Sequence, residues 1–567
     1  MCDVFVDIET NVPPTKIWGA YTYDTDSEEY QWHESPHTLL PLLRKADQVI
    51  GHNLIGFDGP HLNRLWKTKI GSMLATDTLI MSRLLNPSIE GGHSLDAWGK
   101  RLGLKKTDYK RLYWRLLGER KPPREGVQHF NEPNLALLKK YCKRDVELLV
   151  KLYAHLTKEL DDNKFSHKSI QNEHNTAAII QGQIQNGFTF DIPKAQSLLA
   201  TLSGRLADIE GDLQSTFPPI VTERWSEKTG KKLKDKVEVF NPASRKQIAE
   251  RLVSLGVKFS STTEKGNVIV DEKVLDGIDL PEAKLLNEYL MLQKRVSQIK
   301  SWFEEVQEDG KIHGRVITNG AITGRMTHQS PNMAQVPSVS SPYGAECREC
   351  FKARDGWSLV GIDASGLELR MLAHYMRDEG YTKELLNGDI HTKNQEAAGL
   401  PDRAKAKTFI YAYLYGAGDA KIGSIIGGSS SDGKEIKARF LSQTPALARL
   451  QSKVAEQASS GWLPGLDGRK VWVRSEHAAL NTLLQSAGAI VMKRALFSFW
   501  QALMLKKIPF GFCANVHDEW QIETPPEHAE QVGQLGVNAI KAAGFYFKMR
   551  CPLDGEYRVG QTWKDTH

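Results

Sequence analysis

Asp518 and Glu519 stand side by side in NVHDEWQIE, residues 515–523, within a run that otherwise reads as apolar strand. Successive strand residues face opposite sides, so only a tight turn would present both carboxylates together. Two carboxylates about 4 Å apart repel by roughly 1–4 kcal/mol in water or at a protein surface. A bound cation removes that penalty. Taken alone, the tripeptide reads more simply as an Asp-containing hairpin turn, so the other acids must decide.

Several do. WSLVGID is an apolar strand ending at Asp363, and a carboxylate at the end of a buried strand is costly unless paired or bound to metal. Asp363 and Asp518 are therefore candidates for one site. Near the start, Asp7 and Glu9 in DIE are two apart on a predicted strand and share a face. NLIGFDGPHL places Asp58 just before a helix, and YCKRDVE puts Tyr141 and Asp145 one helical turn apart. Four carboxylates and a tyrosine could hold two Mg²⁺, one making a hydroxide and the other stabilising the leaving oxygen. In DRAKAKTFIYAYLYGAG, Arg403, Lys407 and Tyr411 recur at four-residue steps on one predicted helix face. That pattern suits a solvated basic face or, with a base stacked on an aromatic ring, a triphosphate.

The elements that must position these groups are legible in outline. VFVDIET reads as a strand, and KADQVIGHNLIGFDGPHLNRLW as strand, loop and helix. Helical periodicity runs on from Asn134, closing an α/β unit near residue 160. A mostly helical region follows to about 300. It is interrupted at 217–244 by a Lys-rich stretch bounded by prolines, expected to be a loop. The rest contains the Asp363 strand, long helical segments to about 505, the Asp518 hairpin, and a last helix and strand.

The 567 residues allow three or four domain-sized units, and the net charge of +6 is mild. Six cysteines imply a reducing compartment. Cys347 and Cys350 have C-x-x-C spacing without a second pair, and are read as reduced thiols rather than zinc ligands. MCDVFVDIET carries acids where a leader needs bases, and no apolar run would span a bilayer. A cytoplasmic protein without a membrane partner is expected. Lys105 to Arg124 holds eight Lys or Arg against two acids, with Tyr109, Tyr113 and Trp114 interleaved. It suits a solvated helix face or a nucleic-acid contact with stacking side chains.

Taken together, Asp7 and Glu9, then Asn53, Phe57 and Asp58, then Tyr141 and Asp145 resemble the DnaQ-like 3′–5′ proofreading exonucleases (D-x-E, N-x3-[FY]-D, Y-x3-D). GIDASGLELRMLAH, AKTFIYAYLYGAGD and VHDEWQIE resemble motifs A, B and C of the family A DNA polymerases. The likeness is closer still to the replicative branch of the T-odd bacteriophages, as LNGDIHTKNQ, NGAITGRMTHQSPNMAQVPS and FNPASRKQI also show.

This resemblance implies an RNase H-like exonuclease domain followed by a right-hand polymerase, α/β and α+β in class. It implies exonuclease at 1–162, a mostly helical thumb at 163–300, palm at 301–374, fingers at 375–495 and the rest of the palm at 496–567. Asp363, Asp518 and the Ala364 carbonyl would hold two Mg²⁺ in the polymerase site, with Glu519 beside them. Asp7, Glu9, Asp58 and Asp145 would hold two in the nuclease site, where Tyr141 orients the attacking water. Mn²⁺ is expected to substitute. Arg403, Lys407 and His391 would bind the triphosphate, Tyr411 would stack at sugar and base, and Glu368 would be a steric gate beneath the ribose. Arg325 and Gln485 would touch the duplex and His517 the primer end. Primer-template DNA and dNTPs are the expected ligands, a phage helicase-primase is a candidate partner, and a monomer is expected. In the T-odd branch a long thumb insertion recruits thioredoxin. Here the corresponding Glu223–Phe240 stretch is short, so thioredoxin is not expected to bind.

Overall fold

The structure, a computed structural model, describes residues 2–70, 75–119, 121–123, 125–259, 266 and 268–567. Its first unit is built on a five-stranded mixed sheet: β1 (Asp3–Thr10), β2 (Ile17–Asp24), β3 (Glu29–His33), β4 (Gln48–Gly51) and β5 (Ala75–Asp77). The order is β3-β2-β1-β4-β5, with β1 antiparallel to β2 and parallel to β4. Alternation along β1 sorts its side chains. Val4, Val6 and Ile8 enter one core, while Phe5 on the other face packs with Val146 and Leu149 of the long helix α1 (Leu135–Asp162). Asp7 and Glu9 share Phe5's face and so look toward α1. Asn134 caps that helix, its side chain accepting from Leu137 N–H.

Helix α2 (His167–Asn186) leads onward, and α3 (Ile192–Thr216) packs along α4 (Pro281–Glu305), where Arg205 and Glu288 pair through two hydrogen bonds. Between them the expected loop is instead a hairpin of β6 (Ile220–Trp225) and β7 (Lys232–Glu238), with Val221 opposite Val237. Its β-branched residues favour extended backbone, and Gly230 takes the left-handed conformation at the reversal. Lysine content had hidden the strand pattern.

The second unit centres on a four-stranded antiparallel sheet of β8 (Ser358–Ala364), β9 (Gly511–Val516), β10 (Glu519–Thr524) and β11 (Gly555–Gly560), in the order β9-β10-β8-β11. Among the helices that follow β8 in sequence are α5 (Leu367–Met376), α6 (Ile390–Ala398) and α7 (Arg403–Leu414). Helix α8 (Ala479–Lys506) is apolar on nearly every face and correspondingly buried. It packs on α9 (Ala529–Tyr546), which lies across β8 and β11. Cys347 and Cys350 are buried thiols in the core beside this sheet. Among the described residues, no helix is long and apolar enough to cross a membrane.

The two units are tied by specific polar contacts. Trp472 Nε1 donates to the Leu85 carbonyl at 2.8 Å, and Asn319 Nδ2 to that of Ile80 at 3.2 Å. A fully buried Glu173 on α2 accepts from Arg469 and Lys493 at 2.6 and 2.7 Å, and Arg469 also pairs with Asp467. Such a cluster is stable only because every charge has a partner.

Candidate active sites

Asp363 lies near the end of β8, opposite Glu519 of β10 on one side and Glu556 of β11 on the other. The turn joining β9 to β10 is two residues long, His517 and Asp518, with His517 in the left-handed region (φ 58°). Ala364 N–H donates to the Asp518 carbonyl at 3.1 Å, which stitches the turn to the strand end. Asp363 and Asp518 thus meet at one end of the sheet's two inner strands. Burial, then the neighbouring Asp518, Glu519, Glu556 and Glu368, pushes the Asp363 carboxyl up to about 8. Burial and then Glu368 push Asp518 up to about 6. Crowded oxygens whose charges oppose each other suit a hard divalent cation.

Adjacent Glu519 has a different environment. Burial would raise it, but the His567 ring, Arg348 and Gln521 hold it below the usual carboxylate range. Its Oε1 accepts from Trp563 Nε1 at 2.6 Å and Gln521 Nε2 at 2.7 Å, with His567 Nε2 at 3.0 Å. The turn leaves Asp518 to the site, and the strand draws Glu519 into a finished network.

Around this end of the strands stand the other groups singled out in the sequence. Glu368, on the first turn of α5, accepts from Arg325 Nη2 and from the Tyr415 hydroxyl, each at 3.1 Å. Arg325 is therefore engaged within the site itself. Tyr415 was missed, although it lies one helical turn beyond Tyr411 and the four-residue spacing could have found it. Arg403, Lys407 and Tyr411 do share a face of α7, and the His391 ring centre lies 6.4 Å from that of Tyr411. Burial and then Glu368 and Asp518 raise the Tyr411 phenol, so this face looks toward the acids. Arg403 pairs with Asp389 at 2.6 Å, while Lys407 is exposed. His517 is depressed by burial and then by Arg325. Gln485 of α8 bonds Asn481 at 2.8 Å.

With this geometry in place, the comparisons are decisive. The sequence pattern described as DNA polymerase family A matches residues 221–565. The DNA-directed DNA polymerases of Enterobacteria phage T3 and Escherichia phage T7 are each 36% identical to this chain, over 99% of it and 99% of theirs. The chain belongs to DNA polymerase family A. The POL domain of Pol1 from M. smegmatis, solved in complex with DNA primer-template and dNTP, shares the fold at a TM-score of 0.79 and 17% identity, over 99% of this chain and 95% of that one. The fold is a right-hand polymerase preceded by an RNase H-like unit.

The family A pattern begins beyond the first unit, whose acids form a second cluster. Asp58 ends an irregular helical turn, Leu54–Asp58, that follows Asn53 in the left-handed conformation, and its Oδ1 accepts from Ile8 N–H at 3.1 Å. Asp77 fixes the turn by accepting from Asn53 and Ile55 N–H at 2.8 and 3.1 Å. The Phe57 ring packs edge-on to His61. From α1, Asp145 and Cys142 close the cluster, with the Cys142 thiol 3.4 Å from Asp7 Oδ2. Ligand atoms of Asp7, Glu9 and Cys142 lie within 4.8 Å of one another. Burial, then Asp145, raises Asp7 to about 7, and burial with the neighbouring acids raises Glu9 and Asp58 well above their usual range. Asp145 Oδ1 is buried without a hydrogen-bond partner. This donor set also fits a divalent cation.

The basic run behaves unlike a stacking surface. Tyr109 and Tyr113 are buried, and Tyr109 stacks on Tyr141 with ring centres 5.4 Å apart. These aromatics are core, which corrects the nucleic-acid stacking alternative. Arg120 and Arg124 of the run lie outside the described residues.

Proposed function

We propose that this chain is a DNA-directed DNA polymerase that extends a primer 3′ end with dNTPs and proofreads through a separate 3′–5′ exonuclease centre. The observation that carries this reading is the meeting of Asp363 and Asp518 at one end of the inner strands, with Tyr411, on the helix face that also bears Arg403 and Lys407, turned toward Asp518 and Glu368. In the polymerase centre Lys407, Arg403 and His391 bind the triphosphate, and Tyr411 positions the nucleotide sugar and base. Glu368, held by Arg325 and Tyr415, stands where a ribose 2′-hydroxyl would have to fit. Asp363, Asp518 and the Ala364 carbonyl in one centre, and Asp7, Glu9, Asp58 and Asp145 in the other, would hold Mg²⁺, which activates the attacking oxygen and neutralises the leaving one. Glu519 acts by stiffening the turn that carries Asp518.

The domains follow the same reading: residues 1–162 degrade, 163–300 include the thumb, 301–374 and 496–567 form the palm, and 375–495 form the fingers. Strand β9 packs against α2, so this helix supports the palm although it precedes the thumb pair.

A labelled primer-template in Mg²⁺, with and without dNTPs, tests both activities. Asp518→Ala is expected to lose extension by on the order of a thousandfold and keep degradation. Asp7→Ala is expected to do the reverse. Wild-type protein that degrades but never extends would leave only a nuclease; wild-type protein that does neither would leave a DNA-binding scaffold.

A further inference from the structure

One member of the basic run points inward. The Lys106 side chain is only 20% exposed, and its Nζ lies 2.5 Å from Asp145 Oδ2. The same ammonium sits 4.9 Å above the Tyr141 ring, which is itself backed by Tyr109. Lys106 is thus a fixed cation inside a cluster of four acids, anchored on a π face, and its side chain still reaches solvent. A purely structural counter-ion has no need of that open side.

We propose that Lys106 is a ligand for the scissile phosphate of a single-stranded 3′ end. The inference rests on reading this centre as a 3′–5′ exonuclease. In the substrate-free protein the ammonium holds Asp145. When a phosphodiester enters, bringing a further negative charge among the carboxylates, the ammonium turns to a non-bridging phosphate oxygen. A lysine suits this exchange because its charge is compact and carried on a flexible four-carbon stem, with three donors to share. Hydrolysis joins a water oxygen to phosphorus and releases the 3′-oxygen of the penultimate nucleotide. One water proton ends on that oxygen and the other is lost to solvent, while Lys106 keeps its own. Its contribution is charge already in place where negative charge builds up.

The test compares the full-length protein with Lys106→Ala and Lys106→Arg. Degradation of a labelled single strand is expected to fall on the order of 100-fold in Lys106→Ala and to recover partly in Lys106→Arg. Primer extension should be unchanged in both, which reports on folding. A readout that a prop for Asp145 would not move is the salt dependence of binding. For a trinucleotide in EDTA, the slope of log affinity against log salt should become shallower by about 0.7 in Lys106→Ala, one phosphate contact's worth on a single strand. Lys106→Ala degrading at the wild-type rate overturns the proposal and leaves the exonuclease reading intact. So does a fall in degradation with an unaltered slope, which reduces Lys106 to a support for Asp145. Wild-type protein that does not degrade DNA at all takes down both.

Discussion

The two acid clusters meet one electrostatic problem in different ways. In the first unit the acids are deeply buried, and Lys106 stands among them at 2.5 Å from Asp145. In the second unit, Arg325 is spent on Glu368, and among the described residues no ion pair reaches Asp363 or Asp518. One centre carries part of its charge balance with it; the other leaves the balance to what it binds. On the proposed reading, a site that trims whatever strand end arrives can keep a resident cation. On the same reading, a site that must receive a triphosphate with its own counter-charges is better left unneutralised, with Lys407 and Arg403 proposed to meet it from a neighbouring helix.

The comparison can be sharpened by a change confined to one centre. Tyr411→Phe removes a phenol hydroxyl at the proposed nucleotide pocket and touches nothing in the first unit. If that hydroxyl stands in for the missing sugar hydroxyl of a dideoxynucleotide, its loss should strengthen rejection of dideoxynucleotides on the order of tenfold, one hydrogen bond's worth in a desolvated site. Degradation of single strands should not change. Termination measured against normal dNTPs checks both, and unaltered dideoxy use would remove Tyr411 from the pocket.

A smaller effect separates the clusters without any reaction. In EDTA the Asp363 carboxyl, raised from its ordinary 3.8 to about 8, keeps a proton that the unfolded chain releases at much lower pH. Between those values the folded state binds more protons than the unfolded one, so its stability falls as pH rises. Asp363→Asn abolishes that penalty. The variant should be more stable than wild type by on the order of 1 kcal/mol at about pH 8, and the gain should shrink toward about pH 4. Asp145→Asn should gain less, because it also strips Lys106 of its partner. Denaturant midpoints in EDTA at the two pH values read the difference, and equal gains would mean that Lys106 does not offset the acid repulsion.

What the sequence disclosed follows from how far each group's partners lie along the chain. Asp7 with Glu9, Tyr141 with Asp145, and Arg403 with Lys407 and Tyr411 repeat at strand or helix spacing, so a shared face could be read directly. The meeting of Asp363 with Asp518 depends on β8 pairing with β10, which no local spacing shows; the cost of a buried carboxylate made the two candidates for one site, and likeness to a family made them ligands of the same ions. Three things escaped. Lys106 was visible only as one of eight basic residues in a run, because nothing local marks which of them turns inward. Glu519 is expected from the sequence only beside the metal ligands, and its engagement is not legible there because its captors, Trp563 and His567, lie more than forty residues away. The hairpin of β6 and β7 was taken for a loop because its strands are exposed along almost their whole length and lack the apolar alternation that burial imposes.

That hairpin sets the last and smallest expected effect. It overlaps the Glu223–Phe240 stretch, where the T-odd resemblance places a thioredoxin-binding insertion, and here the chain simply turns back on itself, with Val221 opposite Val237 and Trp225 opposite Lys232. Two short strands already paired to each other leave little chain to wrap a second protein, and a stable interface needs roughly 800 Å² from each partner. Adding thioredoxin should therefore change neither the length of extension products per binding event nor the rate of single-strand degradation. A large increase in product length alone would show that the hairpin recruits a clamp after all. It would also tie processivity to the polymerase centre and leave the nuclease centre independent of it, widening the difference between the two. An increase in both activities would instead mean that the hairpin governs how DNA is shared between them, and the two centres could no longer be treated as separate devices.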